Sequence, residues 1–125
     1  MAQHAPTVPR VDSEVFLVLA YDAEGSAAVR ERDLDEHLAY VEKHCEEYLV
    51  AGPLREPGAA PLIGSFFLVA AKDAEEARQI VSGDPYVQSG MYREVIVHAA
   101  VPAGGRFMGG VIWDSADALR DRASG

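Results

Sequence analysis

Residues 63–101, IGSFFLVAAKDAEEARQIVSGDPYVQSGMYREVIVHAAV, decide the fold that this sequence predicts. Their first run is dense in Phe, Leu and Val and predicts a buried strand. Asp73 then predicts the N-cap of a short helix that ends at Gly83. The core face of this helix would be formed by Ala77, Ile80 and Val81. After a compact turn, residues 91–101 predict a further strand, in which the apolar residues Tyr92, Val95, Val97 and Val101 alternate in part.

The residues before this segment supply the other half of the fold. Residues 14–21, EVFLVLAY, predict a buried central strand, and residues 48–52, YLVAG, predict a short strand closed by Pro53. Between them, residues 30–48 predict a long helix with an acidic first turn. Its apolar stripe recurs at steps of four and three residues and comprises Leu34, Leu38, Val41, Cys45 and Tyr48.

The resulting order, β-α-β-β-α-β, predicts an α+β fold of the ferredoxin-like type. An antiparallel sheet with both helices on one face leaves its other apolar face without a cover, and a second copy of the chain would cover it. We therefore expect a homodimer. The domain would span residues 14–102, after a flexible N-terminal arm at 1–13 and before a C-terminal extension at 103–125 with an extra strand and a short helix.

Composition excludes several classes of partner. The chain has 125 residues and a formal net charge of −9, which argues against nucleic acid and anionic membranes as partners. A single cysteine cannot form an internal disulfide, and the N-terminal residues lack the pattern of a secretory signal. The apolar runs are far shorter than the ~20 residues that a membrane span requires. We expect a cytosolic protein that does not cross a membrane.

Two titratable residues are the candidates for chemistry. His37 lies on the long helix at the edge of the apolar stripe, where a partly desolvated imidazole is a plausible general acid or base. Asp84 opens the sequence DPYVQSG and is a natural N-cap for one helical turn with Pro85 in the first position. Its carboxylate could equally orient an imidazole, and the sequence leaves both roles open. His44 lies seven residues after His37, too far to share a metal ion, so we expect no metal site.

The remaining candidates would line a pocket. Gly52 and Pro53 end the predicted second strand and would form part of a pocket rim, although a simple turn is the alternative interpretation. Tyr40, Tyr86 and Tyr92 could stack on an aromatic ligand or donate a hydroxyl, although plain packing is the commoner use of tyrosine. No nucleotide-binding loop and no cofactor fingerprint occurs in the sequence, so we expect no cofactor.

Four segments, EHLAYVEKH, LVAGPL, SFFLVAAKDAEEARQIV and GDPYVQSGMYREVIVH, together resemble the YciI-like family, also called the YCII-related domain. The resemblance covers residues 15–101 and implies a dimeric α+β barrel in which His37 and Asp84 form an acid/base dyad. The best-known activity in that family removes HCl from a chlorinated hydroxyhydroquinone without a metal or organic cofactor. Many members carry Arg three residues before the histidine, where this chain has Leu34.

These observations predict a cofactor-independent lyase or isomerase that moves protons on a small hydroxylated aromatic or quinoid molecule. His37 would transfer the proton, and Asp84 would hold its ring and stabilise the imidazolium. Two alternatives remain: a non-catalytic dimer that binds a small molecule, and a cofactor-free oxygenase of phenols. The sequence names neither the substrate nor the pathway.

Overall fold

The computed structural model describes residues 13–58, 61–113, 115–117 and 120. Seven elements make up the compact unit that spans residues 13–100. In chain order they are β1 (Glu14–Asp22), α1 (Ser26–Lys43), β2 (Tyr48–Arg55), β3 (Leu62–Ala71), α2 (Ala74–Ser82), α3 (Pro85–Gln88) and β4 (Tyr92–Ala100). No helix within the described residues is both long and apolar enough to cross a membrane.

The four strands form one antiparallel sheet in the order β2-β3-β1-β4. β1 and β3 are the central strands, as expected for the two densest apolar runs of the sequence. This order is that of the ferredoxin-like arrangement, so the predicted topology of the α+β domain is confirmed.

Side chains alternate between the two faces of the sheet, as the period of two residues in a strand requires. In β1, Phe16, Val18 and Ala20 are buried, whereas Leu17 and Leu19 between them are half-buried on the opposite face. The buried face packs on α2. Together these side chains form the core, which includes Phe67, Val69, Ala77 and Val81, with Ile80, Tyr92, Val95 and Val97 packed against it.

The second helix matches its prediction closely. α2 begins after Asp73, whose carboxylate accepts a hydrogen bond from the backbone N–H of Glu76 at 2.8 Å, and it ends at Gly83. Two of the three residues predicted for its core face, Ala77 and Val81, are fully buried. Local sequence predicted the start of α2 through the cap at Asp73, whereas Gly83 at its end has a helical backbone rather than the left-handed one of a glycine C-cap.

The long helix differs from its prediction at both ends. α1 begins at Ser26 rather than near residue 30, because only residues 23–25 form the turn, which closes at Gly25 with a left-handed φ of +80°. It ends at Lys43 rather than at residue 48. Since the helix starts earlier, its first turn contains no acidic residue, and that prediction was wrong.

The predicted apolar stripe enters the core only in part. Leu34 and Leu38 are 44% and 53% exposed, Cys45 lies in the turn after the helix, and Tyr48 belongs to β2. None of the α1 residues, all of which the structure describes, is fully buried. Of the five residues of the predicted stripe, Tyr48 belongs to the core and Val41 packs against it, whereas the two leucines face the cavity described below.

The second strand is longer than predicted. β2 continues through Pro53 to Arg55, and Pro53 lies opposite Ser65 of β3. A proline is tolerated here because β2 is an edge strand, in which one side of the backbone needs no ladder partner.

Residues from Val101 onward belong to a second compact unit. Gly104–Gly105 and Gly110–Val111 form a two-stranded antiparallel ladder around a 3₁₀ turn at Arg106–Met108. The extra strand predicted for the extension thus corresponds to these two short strands. The predicted helix falls partly outside the described residues. The strand predicted for residues 91–101 is β4, which is one residue shorter at each end, and Val101 beyond it is 45% exposed.

Candidate active site

Asp84 is held by the helical turn that the sequence predicts. It is fully buried, it is the N-cap of α3, and its Oδ1 accepts a hydrogen bond from the backbone N–H of Tyr86 at 2.9 Å. Pro85 occupies the first helical turn, where its missing N–H costs nothing. The predicted cap is confirmed, and it gives the carboxylate a fixed position.

His37 contacts this carboxylate from the middle of α1. Its Nδ1 lies 2.7 Å from Oδ2 and 2.9 Å from Oδ1 of Asp84, although 47 residues separate the two in sequence. A carboxylate only accepts hydrogen bonds, so the shared proton is assigned to Nδ1. The other ring nitrogen, Nε2, is then left to accept a proton. The cap and the contact with imidazole, which the sequence offered as alternatives, occur together.

Tyr86 fixes the plane of the imidazole. The rings of Tyr86 and His37 stack, with centroids 3.9 Å apart and planes 10° from parallel. The Tyr86 ring is buried, and its hydroxyl donates to the backbone carbonyl of Arg30 at 3.1 Å. Burial raises the pKa of this hydroxyl, so it stays a donor at neutral pH. His37 is thus oriented both by a hydrogen bond at its edge and by a ring against its face.

A cavity of about 630 Å³ lies between α1 and the strands β2 and β3. This volume falls within the range of small-molecule sites. The polar lining residues are Arg30, Glu31, His37, Ser65 and Tyr86, and the others are Ala27, Leu34, Leu38, Val41, Ala51, Gly52, Pro53, Pro61, Leu62 and Phe67. The apolar stripe of α1 therefore faces a cavity, which explains why its leucines are shielded only in part.

Three of the five residues predicted to line a pocket do so, namely Gly52, Pro53 and Tyr86. Tyr40 and Tyr92 are not among the described residues of the wall. The Tyr40 hydroxyl donates to the carbonyl of Ile80 in α2, and the Tyr92 hydroxyl donates to Oγ of Ser65 at 2.8 Å. Both tyrosines are used to hold elements together, so we assign neither a direct contact with a ligand.

Sequence reasoning missed Arg30 as a site residue. Its guanidinium lines the cavity and pairs with Asp22, with Nε and Nη2 each 2.9 Å from a carboxylate oxygen. Nη2 also donates to the carbonyl of Gly64 at 2.8 Å and to Oγ of Ser65 at 3.2 Å. The available signal was its position seven residues before His37, two helical turns away on the same face.

The described part of the chain contains no cluster of side chains that could ligate a metal ion. Within residues 13–58, 61–113 and the few described beyond them, no group of three or more His, Cys, Asp or Glu side chains could hold one ion. His44 contacts Glu47 at 3.4 Å, and Cys45 is exposed. The expectation that the protein works without a metal or cofactor stays a prediction.

These features define a class of protein: a ferredoxin-like α+β domain in which a histidine on a cavity wall is hydrogen-bonded to a buried aspartate. The family described as YCII-related domain matches residues 15–100, which is well over half of the chain, and the chain belongs to that family. No curated protein matches the chain significantly.

Solved structures add two comparisons. The 5-chloro-2-hydroxyhydroquinone dehydrochlorinase of Burkholderia phenoliruptrix AC1100, in complex with 2,5-dihydroxybenzoquinone, is 29% identical, with a TM-score of 0.63. The match covers 74% of this chain and 96% of the dehydrochlorinase. A protein of Arabidopsis thaliana matches with 14% identity and a TM-score of 0.41 over 74% of this chain and 97% of its own. These last values are too low to support a conclusion.

Proposed function

We propose that the protein is a cofactor-independent acid/base enzyme, a lyase or isomerase, that acts on a small hydroxylated aromatic or quinoid molecule. The observation that carries the proposal is the 2.7 Å contact between Asp84 Oδ2 and Nδ1 of His37, a residue that lines the cavity. The likeness to the Burkholderia dehydrochlorinase, whose solved complex contains a dihydroxybenzoquinone, supports the substrate class.

The chemistry needs only these groups. Nε2 of His37 accepts a proton from a ring carbon or hydroxyl of the substrate, and the electron pair of the broken bond moves into the ring. In a lyase the imidazolium first returns this proton to the ring carbon that bears the leaving group, and loss of a second hydroxyl proton then supplies the electron pair that expels a group such as chloride; in an isomerase the imidazolium returns its proton to another ring atom. Asp84 stabilises the imidazolium that forms between these steps. A positioned acid/base of this kind contributes ~10²- to 10⁴-fold to the rate.

The assembly that we propose is a homodimer formed through the outer face of the sheet. On this face Leu19 lies between Phe66 of β3 and Ile96 of β4, and Leu17 lies beside Leu68. These five side chains are only half-buried in the single chain. A second copy would bury them and produce a dimeric α+β barrel.

The test is an anaerobic assay with 5-chloro-2-hydroxyhydroquinone, the compound named for the dehydrochlorinase. Chloride release and quinone absorbance are followed for the wild type, for His37→Gln and for the control His44→Gln, which changes the histidine directly after the same helix, outside the cavity wall. Exchange of ring hydrogens for deuterium is measured in parallel on 2,5-dihydroxybenzoquinone in deuterated water.

We expect wild type and His44→Gln to accelerate at least one of these reactions and His37→Gln to lose ~10²- to 10⁴-fold. Equal rates for the His37→Gln variant and the wild type would contradict the proposal. Binding of both compounds without any reaction would contradict it too, in favour of a binding protein, and oxygen uptake on admission of air would identify an oxygenase.

A further inference from the structure

Arg30 supplies a cationic group to the cavity wall, and the protein engages three of the five N–H groups of its guanidinium, those on Nε and Nη2. Nε and Nη2 are engaged by Asp22, Gly64 and Ser65, as described above. Among the described residues, Nη1 has no hydrogen-bond partner, although the Arg30 side chain is only 13% exposed. Nη1 is therefore a donor without a protein partner at the cavity wall, and a ligand oxygen in the cavity could accept from it.

Asp22 fixes the direction of the Arg30 Nη1 donor and offsets the positive charge of the guanidinium. Two parallel hydrogen bonds at 2.9 Å hold the guanidinium as a fork, so the direction of Nη1 is fixed before any ligand arrives. The Asp22 side chain is only 6% exposed, and its charge offsets that of Arg30. Such a pair presents an oriented hydrogen-bond donor, with part of its charge offset, to an oxygen on which negative charge develops during a reaction.

Arg30 and His37 are also joined through one ring. The guanidinium carbon lies 5.5 Å from the centroid of Tyr86, and the same ring stacks on His37. The Tyr86 hydroxyl in turn donates to the Arg30 backbone carbonyl. The cation and the imidazole therefore border one cavity with their relative positions set by a shared neighbour.

We propose that Arg30 is a further catalytic residue, whose Nη1 donates to the substrate oxygen that becomes negative when His37 removes a proton. This inference rests on the proposed function. In the step, a C–H or O–H bond of the substrate breaks, the proton goes to Nε2 of His37, and the electron pair moves through the conjugated ring to the oxygen at Nη1. The site thus takes phenols and quinones that can form an enolate or phenolate oxygen opposite the reacting position.

The experiment measures binding rather than turnover, so that it is separable from the assay above. Isothermal titration calorimetry compares the wild type with Arg30→Lys, which keeps the charge opposite Asp22 but lacks Nη1. The probes are 2,5-dihydroxybenzoquinone, which carries enolic oxygens, and para-dimethoxybenzene, a neutral ring of similar size without an ionisable oxygen. Urea unfolding of both proteins shows that each is folded.

We expect Arg30→Lys to weaken binding of the dihydroxybenzoquinone by ~10- to 100-fold and binding of the neutral ring by less than about twofold. Equal losses for both probes would overturn the inference, because a purely structural role of Arg30 affects the whole cavity. No loss for either probe, or no binding of the dihydroxybenzoquinone by the wild type, would overturn it as well. Selective binding without turnover would count against the proposed function alone.

Where the lysine variant is too unstable to titrate, Arg30→Ala is measured with added guanidinium ion. Restoration of dihydroxybenzoquinone affinity by guanidinium, with no effect of sodium at the same concentration, is the expected result. Restored stability without restored affinity would overturn the inference.

Discussion

The hydroxyls of the buried Tyr48 and the half-buried Tyr92 differ in whether they have a hydrogen-bond partner. The Tyr48 hydroxyl is buried and has no hydrogen-bond partner among the described residues, whereas the Tyr92 hydroxyl donates to Ser65. Burial raises the pKa of both, that of Tyr92 to about 12, so both stay protonated at neutral pH. A buried hydroxyl without a partner costs about 1–3 kcal/mol, whereas a satisfied one contributes about 1 kcal/mol.

We therefore predict opposite effects for the same chemical change at these two positions. Tyr48→Phe should raise the free energy of unfolding by about 1 kcal/mol, because it removes an unsatisfied group, and Tyr92→Phe should lower it by a similar amount. Urea unfolding at pH 7 measures both. Destabilisation by Tyr48→Phe as large as that by Tyr92→Phe would show that the Tyr48 hydroxyl has a partner after all.

At the residue scale, local patterns predicted the candidate site only in part. The cap at Asp84 is encoded within three residues, by Pro85 and the N–H of Tyr86, and was predicted from the sequence. Its contact with His37 crosses 47 residues, so periodicity alone could nominate both residues but could not join them. The resemblance to the family supplied that link. Arg30 was missed because its partners lie on β1 and β3, which no spacing along α1 reveals.

At the scale of elements, the limit of periodicity is clearest in α1. A repeating apolar stripe indicates a face partly shielded from water, but it does not say whether a core or a cavity lies opposite. Leu34 and Leu38 line the cavity, and neither is buried. α2, whose apolar face does enter the core and whose start is capped locally, was predicted almost to the residue.

The contact between α1 and the end of α2 depends on a glycine. Gly83 has ordinary helical backbone angles, yet a Cβ atom there would collide with the hydroxyl of Tyr40 and lie 2.8 Å from its Cζ. We predict that Gly83→Ala lowers the free energy of unfolding by about 1–3 kcal/mol through overpacking. In a Tyr40→Leu background the same change should be neutral or should stabilise by up to about 1 kcal/mol.

Urea unfolding compares the wild type, Gly83→Ala, Tyr40→Leu and the double variant. This double-mutant cycle isolates the coupling between the two positions. A cost of Gly83→Ala that is unchanged in the Tyr40→Leu background would mean that Tyr40 is not the source of the requirement for glycine.

At the scale of the whole molecule, the sheet's outer face gives a prediction about assembly. We predict a particle of twice the 13.5 kDa chain mass, because Leu17, Leu19 and their neighbours expose apolar area in the single chain. Leu19→Lys should dissociate it, whereas the control Leu34→Lys, on the cavity wall, should leave it intact. Sedimentation equilibrium at micromolar concentration measures all three proteins. A monomeric wild type, or equal dissociation by both variants, would contradict the prediction.

The whole fold was the most predictable level of this protein. Four apolar runs and two helical segments in a fixed order allow few topologies, and the observed sheet order is the expected one. The cavity could not be predicted in the same way, because it depends on how far α1 stands from β2 and β3. The cytosolic location and the absence of nucleic-acid partners stay predictions from composition.

The measurement that tests the central claim most directly is the tautomer of His37, read from its ¹⁵N chemical shifts in the wild type and in Asp84→Asn. In the wild type we predict that neutral His37 carries its proton on Nδ1, opposite Asp84, so that Nε2 can accept a proton. In the variant the side-chain oxygen keeps the cap on Tyr86 and the amide NH₂ turns to Nδ1, so the proton should move to Nε2. A proton on Nε2 in the wild type, or the same tautomer in both proteins, would contradict the account.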